Sequence, residues 1–295
     1  MRIEWPTLIL AIACYALWAV GVFILPQVSL LLAVAVTAWA AAQHSSLSHE
    51  ALHGHPFGNR RLNEALVFPA LSLCTPYGRF RDTHLAHHND SRLTDPYDDP
   101  ETAYCDPVVW ARLPQWQRKL LTINNTLAGR IVLGPLIGMV AFVRSDIRAA
   151  RAGERVIVSD WALHIPGVVL TLWAVSFSGM GFGAYFAACY CALSMLKIRT
   201  FLEHQAHARV SGRTAIVEDR GVLGFLFLNN NLHVVHHMHP RVAWYKLWPL
   251  YRAQKERFVT RNHGYVYSSY ADVFRQYLWR PKEAVAHPLM PAPED

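Results

Sequence analysis

VSLLLAVAVTAWAAAQHSSLSHEALHGH, residues 28–55, begins as an uncharged apolar run and ends as a cluster of histidines. Upstream of it, residues 7–25 are almost wholly apolar, and only the uncharged connection PQVS, with its helix-breaking Pro26, joins the two runs. Apolar segments of this kind, separated by a proline turn, read as two membrane-spanning helices in a hairpin. A secretory signal peptide is the rival reading of the first run, because Arg2 precedes an apolar core. The second run following at once makes the hairpin the simpler answer. His44, His49, His53 and His55 should then emerge just beyond the membrane surface, by extension of the second helix.

The pattern repeats further along. Residues 161–177 and 183–196 form a second apolar pair, joined by the uncharged SGMGF, and its second member runs on into KIRTFLEHQAH. Between the pairs, LNEALVFPALSLCTPYG (62–78) is broken by Pro69 and too short to span comfortably, which suits an interfacial helix. Residues 127–143 are apolar but have basic residues on both sides, so they are expected to lie on or dip into one face of the bilayer. The basic run 144–155 reads as a solvated or lipid-facing surface, and residues 244–277 mix aromatic and basic side chains as a cap resting on headgroups would. With both uncharged turns outside, the positive-inside rule puts every basic loop and every histidine cluster in the cytoplasm. The expected fold is an all-α integral membrane protein with about four transmembrane helices in two hairpins, interfacial helices and a cytoplasmic histidine-rich cap.

Composition agrees: 53% of the 295 residues are apolar, and the formal net charge is +7. No basic run interleaves with stacking aromatics in the manner of a single-strand nucleic-acid reader, so no nucleic-acid partner is expected. The positive charge suits anionic lipid or an acidic protein. The five cysteines, Cys14, Cys74, Cys105, Cys189 and Cys191, form no CxxC pair, so any bound metal must be held by histidine.

Of the 16 histidines, 13 fall in four segments. His84, His87 and His88 (HLAHH) and His233, His236 and His237 (HVVHH) repeat an i, i+3, i+4 spacing, which on a helix puts three imidazoles within an arc of about 100°. His49 and His53 are one helical turn apart, and His204 and His207 lie in EHQAH. One zinc takes three or four protein ligands, whereas these segments offer eight or more imidazoles; two metals with open coordination positions account for that number. Iron with open positions can bind dioxygen and oxidise unactivated C–H bonds.

HEALHGH, HLAHH and HVVHHMHP, in that order and between two hairpins, resemble the three histidine boxes of the membrane-bound fatty acid desaturase superfamily, which also holds hydroxylases and carotenoid ketolases. The resemblance covers residues 7–250 and implies a single domain over residues 1–280, with 281–295 a disordered, proline-rich tail. It implies nine metal ligands, namely His49 and His53, His84, His87 and His88, His204, and His233, His236 and His237, with Glu203 before His204 as in related hydroxylases. His44, which with His49 fits a longer HxxxxH spacing, and His207 are the alternatives. Glu50, Asp82, Glu203, the residues Asp95, Asp98 and Asp99 of the acidic loop after HLAHH, and Asn229 to Asn231 are candidates to hydrogen-bond the ligands from behind. The cofactors implied are two iron ions, with dioxygen as co-substrate. The partners implied are a lipid or acyl substrate drawn from the membrane and a separate electron donor of ferredoxin, rubredoxin or cytochrome type, since no redox segment is recognisable in the chain. The activity implied is fatty acid desaturation, with hydroxylation or ketolation by the same site as the alternative.

Two rival functions use the same residues. His49, Glu50 and His53 also spell HExxH, the signature of zinc proteases, but that reading leaves the two HxxHH triplets without a purpose. A histidine-rich metal transporter would need polar ligands within the spanning helices, where His164 is the one histidine.

Overall fold

The computed structural model describes residues 3–291. In chain order its helices are α1 (Trp5–Ala19), α2 (Leu30–Leu52), α3 (Arg60–Leu66), α4 (Tyr77–His87), α5 (Pro107–Arg112), α6 (Gln115–Asn124), α7 (Leu127–Arg151), α8 (Arg155–Ser176), α9 (Gly181–Thr200), α10 (Val222–Leu226), α11 (His233–Met238), α12 (Trp244–Ala253), α13 (Lys255–Arg261) and α14 (Tyr270–Tyr277). Two short strands, β1 (Ile216–Val217) and β2 (Val266–Tyr267), pair in parallel, with Ile216 opposite Val266 and Val217 opposite Tyr267. The chain forms two compact units, residues 1–81 with 135–196 and residues 82–134 with 197–295.

The first unit holds the two expected hairpins. α1 tightens into a π-helical turn (Val20–Ile24) and a 3-10 turn (Leu25–Gln27) at Pro26, and Ser29 then caps α2 by accepting from Leu32 N at 3.3 Å. Where α1 and α2 meet, a Cβ on Gly21 would lie 2.5 Å from Thr37 Oγ1, so only glycine permits this approach. α2 continues without a break from its apolar half to His49, and its last turns are buried from Ala40 to His44 and from Ser46 to Ala51, Glu50 included. At a rise of 1.5 Å per residue, 23 residues reach about 34 Å, enough to cross the hydrocarbon layer and carry histidines out of it.

Among the described residues five helical segments are long and apolar enough to cross a membrane: Trp5–Gln27, Leu30–Leu52, Leu127–Arg151, Arg155–Ser176 and Gly181–Thr200. The sequence expects about four. The additional one is α7, whose basic flanks suggest an interfacial position but whose length and composition suffice for a crossing, Arg130 and Pro135 notwithstanding.

The second unit builds a small globular core under the third histidine segment. Ile216, Leu232, Val234, Val235, Leu247, Tyr251 and Phe258 form one buried cluster. Asn231 ties the strand to the turn before α11: its Nδ2 donates to Val217 O at 2.6 Å and to Asp219 O at 3.0 Å. Of the tail expected to be disordered, residues 281–291 carry backbone hydrogen bonds, including Lys282 N to Asn125 O at 3.1 Å, Cys105 N to Val285 O at 2.8 Å and His287 N to Cys105 O at 2.8 Å; residues 292–295 lie outside the described residues.

One hydrogen-bonded chain in the first unit joins Trp18, Tyr185 and Leu71 away from water. Trp18 Nε1 donates to Tyr185 Oη at 3.1 Å, and Tyr185 Oη donates in turn to Leu71 O at 2.7 Å. Tyr185→Phe should leave the buried Trp18 N–H without a partner and Leu71 O with only the weak Cys189 thiol donor, lowering stability by about 1–3 kcal/mol. Thermal unfolding in detergent, with the variant shifted below the parent, checks it.

Candidate metal centre

Seven histidines of the second unit come together from three elements. α4 presents His84 and His87 on one face, with His88 just past its end; α11 presents His233, His236 and His237; His204 comes from the segment after α9. The six-residue α11 is held rigid because Val234 and Val235, 1% and 0% exposed, anchor its other face in the core. His204 is fixed by its own backbone: it bridges Thr214, and the flanking Gln205 N donates to Arg213 O at 3.0 Å while Ala215 N donates to Glu203 O at 3.0 Å. Tyr104 Oη accepts from Ala206 N at 2.6 Å, and the buried Lys282 ammonium donates to His204 O.

The tautomers of three rings follow from their partners. His87 Nδ1 donates to Asp99 Oδ1 at 2.8 Å, His84 Nδ1 to Glu101 Oε1 at 3.0 Å and His233 Nδ1 to Asn230 Oδ1 at 3.1 Å. Oxygens of carboxylate and amide carbonyl can only accept, so each neutral ring carries its proton on Nδ1 and exposes a lone pair at Nε2. Those Nε2 atoms converge. His204 Nε2 is 2.7 Å from His87 Nε2 and 3.0 Å from His233 Nε2, and His88 Nε2 is 3.0 Å from both His84 Nε2 and His236 Nε2.

A single N–H on His204 could satisfy one neighbour and would leave the other lone pair facing nitrogen. A shared cation satisfies all of them. Two nitrogens each roughly 2.1 Å from one metal and at right angles stand about 3.0 Å apart, which is the spacing observed. The ligand nitrogens of His87, His204, His233 and His237 lie within 4.8 Å of one another, as do those of His84, His88 and His236. Donor type and spacing therefore fit two metal positions in this unit, and imidazole donors suit zinc, copper, iron or nickel.

The electrostatics divide the rings. Burial disfavours charge on His87, but Glu101, Asp99 and Glu203 outweigh it and push its pKa up to about 9. His204 and His233 move the other way, held well below the ordinary value by burial and by neighbouring imidazoles. Burial also works against ionisation of Glu101, yet His87 and His84 hold its carboxyl well below the usual range. Behind His233, Glu203 Oε1 lies 3.6 Å from Nδ1 and 2.8 Å from Arg199 Nε.

The remaining candidates come from other segments. In the first unit His49 closes α2 and His53 caps it, with ring centroids 4.8 Å apart. His44 Nε2 donates to Tyr15 Oη at 3.0 Å, and that hydroxyl donates to Leu66 O at 2.6 Å. His207 stacks on His263 at 4.8 Å and shares its Nδ1 with the Arg209 backbone. Of the three asparagines before His233, Asn229 donates to Trp244 O at 2.9 Å while Asn230 meets the ring. Glu50 is buried at the end of α2. Glu101 and Lys282 are the contributors that sequence reasoning missed; only the acidity of the loop after HLAHH hinted at the first, and nothing hinted at the second.

The family model described as fatty acid desaturase matches residues 18–270 of the chain. No curated protein matches it.

Asp99→Asn keeps the shape of the residue but weakens the acceptor that fixes His87, and should lower metal affinity by roughly 10- to 100-fold. Metal uptake must also displace the proton held on His87, so affinity should tighten as pH rises towards about 9. Chelator competition against the metal-free protein at several pH values measures both; a flat profile and an unchanged Asp99→Asn affinity would refute this account of the ring.

Proposed function

Since the chain belongs to the fatty acid desaturase family, and is thereby an integral membrane oxidoreductase, we propose that it carries out di-iron, dioxygen-dependent oxidation of a lipid acyl chain, with desaturation as the reaction. The observation that carries this reading is the convergence of imidazole Nε2 atoms into two groups, because two adjacent metals with all-nitrogen ligands suit redox chemistry and not the single zinc of a protease.

One iron would be held by His87, His204, His233 and His237. The other would be held by His84, His88 and His236, together with His49 and His53 from the end of α2. His44 and His207 are left outside the set, since the first is engaged with Tyr15 and the second with His263 and Arg209. Bound there, the irons would supply the dioxygen chemistry that removes hydrogen from an unactivated methylene. For desaturation the balance is one dioxygen, two electrons and two protons consumed, with two waters and one carbon–carbon double bond formed. For hydroxylation the same inputs leave one oxygen on the chain and release one water.

The protein's own part is to fix and shield. Asp99, Glu101 and Asn230 hold three rings with Nε2 forward, so the ligand set needs no reorganisation on binding metal. Near-complete burial of His84, His87, His233 and His236 excludes bulk water, which protects a reactive centre from side reactions. The ligands are read as cytoplasmic, where a separate carrier of ferredoxin, rubredoxin or cytochrome type delivers the electrons; many such carriers are acidic and suit the net charge of +7.

Expression in a desaturase-deficient host, followed by mass spectrometry of total lipids, should reveal species lighter by two hydrogens. Gain of one oxygen would select hydroxylation instead. The purified protein should carry two irons per chain, and His236→Ala should abolish the product; one zinc per chain with unchanged lipids would refute the proposal.

A further inference from the structure

His84, His87 and His233 are each steered from behind by an oxygen, but His204 is not. The first three donate Nδ1–H to Glu101, Asp99 and Asn230, whereas His204 Nδ1 is buried with no hydrogen-bond partner among the described residues. Yet His204 Nε2 stands 2.7 Å from His87 Nε2 and 3.0 Å from His233 Nε2, so its direction is closely set. A ring without an acceptor behind it takes that direction from its main chain. Here the main chain is gripped on one side by the pairing with Thr214 and on the other through the His204 carbonyl.

The grip on the carbonyl comes from the far end of the polypeptide. Beyond α14, residues 281–289 run along two other segments of the same unit. Lys282 N donates to Asn125 O at 3.1 Å and Asn125 Nδ2 to Glu283 O at 2.5 Å, while Cys105 N donates to Val285 O and His287 N to Cys105 O, each at 2.8 Å. Two buried side chains turn inward from this strap. The Lys282 side chain is 10% exposed, and its ammonium, paired with Glu283 at 2.9 Å, donates to His204 O. His287 Nδ1 accepts from Leu289 N at 3.3 Å, which leaves its proton on Nε2 to be donated to Thr94 Oγ1 at 3.3 Å. Thr94 N donates in turn to Asp99 Oδ2 at 2.9 Å, and the other oxygen of that carboxylate is the one His87 Nδ1 meets.

Both contacts lead to the same place. Lys282 acts on His204, and His287 acts through Thr94 and Asp99 on His87; those two rings share one group of four with His233 and His237. The other group, His84, His88 and His236, contains neither. We infer that residues 281–289 are a strap that positions His204 and His87 for one metal, so that seating of the strap and filling of that position reinforce each other. The inference rests on the two-metal reading proposed above and deepens it, by making the four-histidine position depend on the end of the chain. Lys282 and His287 are positioning residues and not ligands. The effect is reciprocal: a strap that tightens metal binding by a given factor is itself held more firmly by that factor once metal is bound.

The test titrates metal-free, full-length protein in a maltoside detergent with cobalt(II), read by visible absorption and by native mass spectrometry. In a His236→Ala background, which leaves the four-histidine group whole, Lys282→Met or His287→Phe should weaken cobalt binding by roughly 10- to 100-fold, the usual cost of losing a group behind a ligand. In a His233→Ala background, which leaves the other group whole, the same changes should leave binding as it was. His287→Gln, whose Nε2 keeps a donor for Thr94, should recover most of the affinity lost in His287→Phe. Hydrogen exchange at the Lys282 and His287 amides should slow when cobalt is bound. Equal weakening in both backgrounds would reduce the strap to a stabiliser of the fold; that result, unchanged cobalt affinity, unchanged exchange or no recovery in His287→Gln would each overturn the inference. Uptake of a single cobalt by the unmodified chain would overturn the two-metal reading and this inference together, and is thereby told apart from failure of the strap alone.

Discussion

Lone pairs do not tolerate one another at 3 Å. His84, His87 and His233 have each committed their one proton to an oxygen on the far side of the ring, so the nitrogens that face inward can only be reconciled by a positive charge among them. Everything about the second unit follows from maintaining that arrangement: a short helix pinned by Val234 and Val235, a backbone pairing around His204, and an acidic loop that returns to the rings of α4. The carboxylates that raise His87 and the crowded imidazoles that lower His204 and His233 are signs of how closely these groups are packed.

The membrane architecture was open to sequence reading because its signals are local. Runs of uncharged apolar residues, an interrupting proline and the asymmetry of basic loops are all properties of neighbouring residues, and both hairpins appear where they are expected. α7 defied that logic: its basic flanks argue for an interfacial position, whereas 25 continuous helical residues give it the reach of a spanning segment. Flanking charge and length are separate physical quantities, and for this helix they point different ways.

The grouping of the histidines was legible for a similar reason, since i, i+3, i+4 spacing is a helical property that a sequence displays directly. Their supports were not. Glu101 reaches His84 across 17 positions and Lys282 reaches the His204 carbonyl across 78, distances over which no periodicity survives. Asn229 and Asn230 illustrate the finest level: both stand just before the third box, but a positive φ of 58° at Asn229 turns its amide to Trp244 and leaves the ring to its neighbour.

α2 joins two environments in one uninterrupted rod, with its cap at Ser29 and His49 five turns further on. A helix is stiff along its axis, so the depth of the His49 imidazole is tied to how the apolar half of the same helix settles in the lipid. Bilayer thickness is thereby a variable felt by a candidate metal ligand, since a thinner or thicker hydrocarbon layer is met by tilting or sliding the rod that carries it.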